Sequence, residues 1–152
     1  MESQYDFSGL HIILADDDAD DRFFFARALA KISPVKTFQT FSDGVYLMEH
    51  LRTAVTYPDV IFLDENMPRR RGSECLVDIR KNGKLKHIPI IMYSTHYDIH
   101  TGDEFYKNGA TYFFIKTNFD ELVLVLEKVL HEIGTHTGVA RSRATFLLNG
   151  VH

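Results

Sequence analysis

Apolar positions along the chain gather in five short runs rich in β-branched and aromatic residues: LHIILA (10–15), VKTFQTF (35–41), DVIFLD (59–64), IPIIMYS (88–94) and TYFFI (111–115). Their length and composition predict strands. Between them, apolar residues recur at helical spacing: Phe24, Ala28, Leu29 and Ile32, then Val45, Leu47, Met48 and Leu51, then Leu76, Val77 and Ile79, and a weaker set around Phe105. The first, third and fourth runs are apolar on both faces, as in a parallel sheet covered by helices on both sides. The predicted class is α/β, a doubly wound five-stranded parallel sheet. Asp43-Gly44, Asn82-Gly83 and Asn108-Gly109 stand where helices should begin or end. A last helix, FDELVLVLEKVLHEI, puts Leu122, Val125, Leu126, Val129 and Ile133 on one face and leaves Leu124 in the polar arc. Residues 1–133 read as one domain and 134–152 as a C-terminal tail, too short to form a second or an effector domain.

Composition narrows the class of function. A chain of 152 residues can bury a core without disulfides or a structural metal, and no apolar run approaches the length of a membrane span. The N-terminus MESQYDFSGL lacks the basic and apolar regions of a signal peptide, and a single cysteine, Cys75, excludes an internal disulfide. A cytoplasmic protein is the expectation. A net charge of −4 supplies no basic footprint for nucleic acid.

The strand ends carry the chemistry. In an open parallel sheet, ligands bind at the carboxyl ends of the strands, near the reversal of strand order. The first strand ends in Asp16 and Asp17, the third in Asp64, the fourth in Ser94 and Thr95, and the fifth in Lys116. Three carboxylates in contact would force protonation unless a cation neutralises them, and an all-oxygen donor set selects a hard ion such as Mg²⁺. Mg²⁺ prefers one or two carboxylates plus a phosphate oxygen, so a phosphoryl group is the natural remaining ligand. Lys116 would hold a second phosphoryl oxygen as a point charge, and Ser94 would donate to a third.

The strings ILADDDADDR, VIFLDENMPRRRG, IPIIMYST and GATYFFIKT, in this order across residues 10 to 133, closely resemble the receiver domain of two-component response regulators. The resemblance implies a flavodoxin-like fold with strand order 2-1-3-4-5. It assigns Asp64 as the aspartate that accepts a phosphoryl group from a phosphohistidine. It further implies that Asp16 and Asp17 are the acidic pair holding Mg²⁺ together with Asp64. The backbone carbonyl of Asn66 would complete the metal shell, Lys116 would be the family's lysine, and Ser94 the switch hydroxyl. Three positions depart from the usual pattern: Thr117 follows the lysine where proline is usual, Phe113 replaces the switch tyrosine, and Thr95 stands where alanine is common.

The implied function is a phosphorylation-dependent switch without an attached DNA-binding domain, fed by a sensor histidine kinase or a histidine phosphotransfer protein. Its output would run through protein contacts, with a downstream protein that the sequence does not name. A symmetric homodimer through helix four, strand five and helix five is expected, motivated by Leu124. Two alternatives stay open. A degenerate receiver would act only as a binding module, and a Mg²⁺-dependent phosphohydrolase of the haloacid dehalogenase type would also form an aspartyl-phosphate. The latter wants a second aspartate two residues after its nucleophile, whereas Asp64 is followed by Glu65 and Asn66.

Other polar clusters read more plainly. Asp18, Asp20 and Asp21 are expected to cap a helix and complement its dipole, with no part in the chemistry. His96 and His100 have helical metal-pair spacing but no third ligand, and Arg69 to Arg71 read as a solvated loop run. Phe23, Phe24 and Phe25 cannot all face one core.

Overall fold

The computed structural model describes residues 6–32, 34–135 and 142–149. Five strands alternate with five helices: β1 (His11–Ala15), α1 (Ala19–Ile32), β2 (Thr37–Phe41), α2 (Gly44–Thr53), β3 (Val60–Asp64), α3 (Gly72–Lys81), β4 (Ile90–Ser94), α4 (Ile99–Lys107), β5 (Tyr112–Ile115) and α5 (Phe119–Thr135). All strand pairs are parallel, in the order β2-β1-β3-β4-β5, so the fold class and strand order are as expected. The helix boundaries carry the expected polar residues. Asp43 accepts from the Tyr46 amide at 2.9 Å at the start of α2, and Asn82 and Asn108 end α3 and α4. No helix among the described residues is long and apolar enough to cross a membrane.

Period-two alternation sorts the strand side chains into two cores. Ile13, Ala15, Ile61, Leu63, Ile90, Met92 and Phe113 face the layer of α2, α3 and α4. Ile12, Leu14, Val60, Phe62, Ile91, Tyr93 and Phe114 face α1 and α5. β3 and β4 are buried along their whole length, which accounts for their continuous apolar runs. β2, at the sheet edge, is only half-buried and correspondingly mixed in sequence, TFQTF. Of the three adjacent phenylalanines, Phe25 packs into the core while Phe23 and Phe24 are exposed.

α5 buries Val125, Leu126, Val129 and Leu130, a stripe one residue wider than expected, with Leu122 and Ile133 at its flanks and Leu124 exposed. It runs to Thr135, two residues beyond the expected end of the domain. Residues 142–149 of the tail lie against the outer edge of β5. The Phe113 amide donates to the Phe146 carbonyl at 3.1 Å, and the Leu148 amide donates to the Phe113 carbonyl at 2.9 Å. Asn149 then imitates a ladder residue with its side chain. Its Oδ1 accepts from the Ile115 amide at 2.7 Å, and its Nδ2 donates to the Ile115 carbonyl at 2.9 Å.

Candidate functional site at the carboxyl end of the sheet

Because every strand runs the same way, residues that end β1, β3, β4 and β5 meet at one edge. Carboxylate oxygens of Asp16, Asp17 and Asp64 all lie within 4.8 Å of one another, with Asp16 and Asp64 buried and Asp17 exposed. Lys116 Nζ reaches into this cluster, 3.1 Å from Asp16 Oδ2 and 3.3 Å from Asp64 Oδ1. The three expected metal-site carboxylates and the expected lysine are therefore neighbours. The donor set is oxygen only, three carboxyl groups beside one ammonium, which fits a hard divalent cation.

The electrostatics follow from burial. Asp64 is pushed up from 3.8 to about 7, chiefly by desolvation and secondarily by the Asp16 charge, against the pull of Lys116. The Lys116 ammonium is held well above its ordinary value by Asp21, Asp16 and Asp64, which outweigh its own desolvation. The site thus has a deficit of positive charge at neutral pH.

Ser94 is buried at the end of β4, where its Oγ accepts from the His96 amide at 3.3 Å and its carbonyl accepts from the Lys116 amide at 2.8 Å. The exposed Asn66 donates its amide to Asp64 Oδ1 at 3.4 Å. Thr95 and His96 are exposed at the rim. The bond joining Lys116 to Thr117 is trans. Phe113 is fully buried, its ring among Tyr97, Phe105 and Phe146.

Two sequence readings need correction. Asp21 does more than complement the dipole of α1, because its Oδ2 accepts from Lys116 Nζ at 2.8 Å. Asp18 does cap the helix, accepting from the amides of Asp20 and Asp21. The arginine run is not simply solvated. Arg69 pairs with Asp43 at 2.7 Å and stacks on Tyr46, Arg70 pairs with Asp78, and Arg71 lies 3.6 Å from Glu74. Opposite charges on neighbouring elements, 26 residues apart for Asp43 and Arg69, are invisible to a local reading.

Two further residues were missed. Tyr93 donates its buried hydroxyl to Asp16 Oδ2, although the run IPIIMYS shows it only as a strand aromatic. Gly72 lies so close to Asp64 that a Cβ there would stand 2.3 Å from the Asp64 carbonyl oxygen. The only signal for it was its place in the string VIFLDENMPRRRG.

Comparison with known proteins agrees with this geometry. Response regulator Rcp1 of Synechocystis sp. is 28% identical over 92 residues, which is 57% of this chain and 63% of Rcp1, so the match spans less than two thirds of that relative. The phosphorylated cyanobacterial phytochrome response regulator RcpA superposes with a TM-score of 0.77 at 25% identity, covering 85% of this chain and 96% of that one. The Mn²⁺-bound form of Rcp1 superposes with a TM-score of 0.70 at 22% identity, covering 88% and 99%, a likeness of fold. The family model for the response regulator receiver domain matches residues 12–127, and the chain belongs to that family of two-component signalling domains.

Proposed function

We propose that Asp64 is the phosphoacceptor of this receiver, taking a phosphoryl group from a sensor histidine kinase or a histidine phosphotransfer protein in the cytoplasm. Receiver domains bind a divalent metal and meet such donors as a family. The observation that carries the reading is one buried carboxylate, Asp64, held 3.3 Å from Lys116 and within a cluster with Asp16 and Asp17. In the transfer, an Asp64 carboxylate oxygen bonds to phosphorus as the phosphorus–nitrogen bond of the donor breaks, and the imidazole leaves with the electron pair. Asp16, Asp17, Asp64 and the carbonyl of Asn66 are the groups that would hold Mg²⁺. Bound there, the ion would supply positive charge to the phosphoryl oxygens and relieve the repulsion among the carboxylates.

The chain's own residues do the rest. Lys116 exchanges part of its contact with Asp21 and Asp16 for a phosphoryl oxygen, a change its flexible stem allows. Ser94 rotates its hydroxyl away from the His96 amide to donate to another oxygen. Phe113 sits one layer below and couples that rotation to α4 and the tail, because its ring is enclosed by Phe105 and Phe146. Such a switch works by biasing two packings of the same face.

Acetyl phosphate with Mg²⁺ should raise the intact mass by one phosphoryl group. Asp64→Asn should abolish the rise and Asp17→Asn should reduce it at limiting Mg²⁺. A full rise in Asp64→Asn would place the acceptor elsewhere.

A further inference from the structure

The hydroxyl of Tyr93 is buried, and the described partner for it is a member of the carboxylate cluster. Tyr93 lies on β4 opposite Asp64 in the ladder with β3, and its ring joins the layer beneath α1 and α5. It stacks on Phe114 with centroids 5.3 Å apart and stands 6.2 Å from Phe25. Its hydroxyl crosses under the end of β3 to donate to Asp16 Oδ2, while Lys116 Nζ rides 4.6 Å above the ring centroid. Asp16 is wholly buried. Its Oδ1 accepts from the Asp18 amide at 2.9 Å and its Oδ2 from both Tyr93 and Lys116, so its carboxylate plane is fixed from three directions without solvent.

We propose that Tyr93 is a positioning residue of the cation site, its hydroxyl holding the Asp16 carboxylate in the orientation that presents an oxygen to Asp17 and Asp64, and its ring carrying Lys116. A phenylalanine would satisfy the aromatic packing equally, and an aliphatic side chain would fill a sheet core at less cost. A hydroxyl taken out of water with one partner is costly unless that bond is strong, and a bond to a carboxylate is of the strong kind. Outer hydrogen bonds to metal-ligating groups commonly set affinity by orienting the ligand. Lys116 cannot replace the hydroxyl in this task, because it is shared with Asp21 and Asp64 and, on the reading above, moves during phosphoryl transfer.

The test uses the full chain with Mg²⁺ or Mn²⁺ alone, and its reading rests on the cluster being a cation site. The dissociation constant is measured by calorimetry for the parent and for Tyr93→Phe, with circular dichroism as the check of folding. Tyr93→Phe should weaken binding by about tenfold. The chain has seven tyrosines and no tryptophan, so near-ultraviolet absorbance reports tyrosine. A cation on Asp16 draws charge from its oxygens and weakens the bond from Tyr93. Titration of the parent should therefore give a difference spectrum that Tyr93→Phe lacks, a signal that loss of packing alone would not produce. A parent that binds no cation overturns the reading of the cluster itself. A parent that binds, beside a folded Tyr93→Phe with an unchanged or tighter constant, overturns the role of Tyr93 and leaves the cluster standing. An absent difference spectrum in a parent that binds does the same, and needs no variant to fold.

Discussion

The burial of Asp64 costs the fold stability once its carboxyl ionises. Its carboxyl ionises at about 7 in the folded chain against 3.8 ordinarily, because burial and Asp16 disfavour its charge more than Lys116 favours it. Between these values the folded state binds a proton that the unfolded state has released, so stability falls as pH rises from about 4 to about 7 and is flat above. Three pH units correspond to roughly 4 kcal/mol as an upper bound. In the chelated, metal-free protein, Asp64→Asn should therefore be more stable than the parent at pH 8, by about 1–3 kcal/mol, and the gap should close towards pH 4. Urea midpoints at the two pH values measure it, and a gap independent of pH would mean that Asp64 ionises normally.

At the rim, Asn66 and His96 are both exposed and, by resemblance to the family, flank the in-line path of water to the phosphorylated Asp64. A bulky His96 would shield such a path, whereas Asn66 would be able to orient a water on it. His96→Ala should shorten the phosphorylated lifetime and Asn66→Ala should lengthen it, read as decay of the phosphorylated protein after removal of the donor. Slower decay in His96→Ala would reverse the assignment of shielding.

At the level of elements, legibility depended on whether the signal was local. β1, β3 and β4 announce themselves because a strand covered on both faces is apolar at every position, and the boundary pairs at Asp43, Asn82 and Asn108 act within one turn. That Asp16, Asp64, Ser94 and Lys116 gather at one edge was readable for the same reason, since parallel strands bring their last residues together whatever lies between. What joins α1 to the loop after β5 was not readable. Asp21 lies 95 residues from Lys116, and nothing around either residue distinguishes a first-turn acid from a lysine's partner. Tyr93 was hidden differently: in sequence a buried aromatic and a buried hydroxyl donor are the same letter, and only the height of the ring relative to the end of β1 separates them. The width of the apolar stripe on α5 likewise depends on its packing in the layer it shares with α1, where Leu130 is buried.

For the molecule as a whole, the tail decides how much of the α4-β5-α5 face is available to a second copy. β5 ends the sheet and would present an unpaired edge beside apolar side chains, the arrangement that invites pairing with another chain. Residues 146–149 take up that edge, with Phe146 wholly buried against Tyr106 and Phe113 and Leu147 nearly so. Arg143 fastens the segment to α4 through Asp103 at 2.7 Å. Among the described residues, the large apolar side chains left outward on this side are Ile99 and Leu124, 69% and 65% exposed, too few to define an extensive interface. The expected homodimer through helix four, strand five and helix five would therefore have to compete with the tail for β5. Deleting residues 136–152 should uncover Phe113 and the edge. It should lower the melting temperature by about 5–10 °C through the lost burial of two large side chains, and raise self-association severalfold. Sedimentation of the full and shortened chains, each with and without acetyl phosphate, compares the two occupants directly. If the tail is the competitor, phosphorylation should favour dimers more weakly in the full chain than in the shortened one. A shortened chain that stays monomeric at high concentration and melts with the parent would show that neither the edge nor Phe113 depends on the tail for cover.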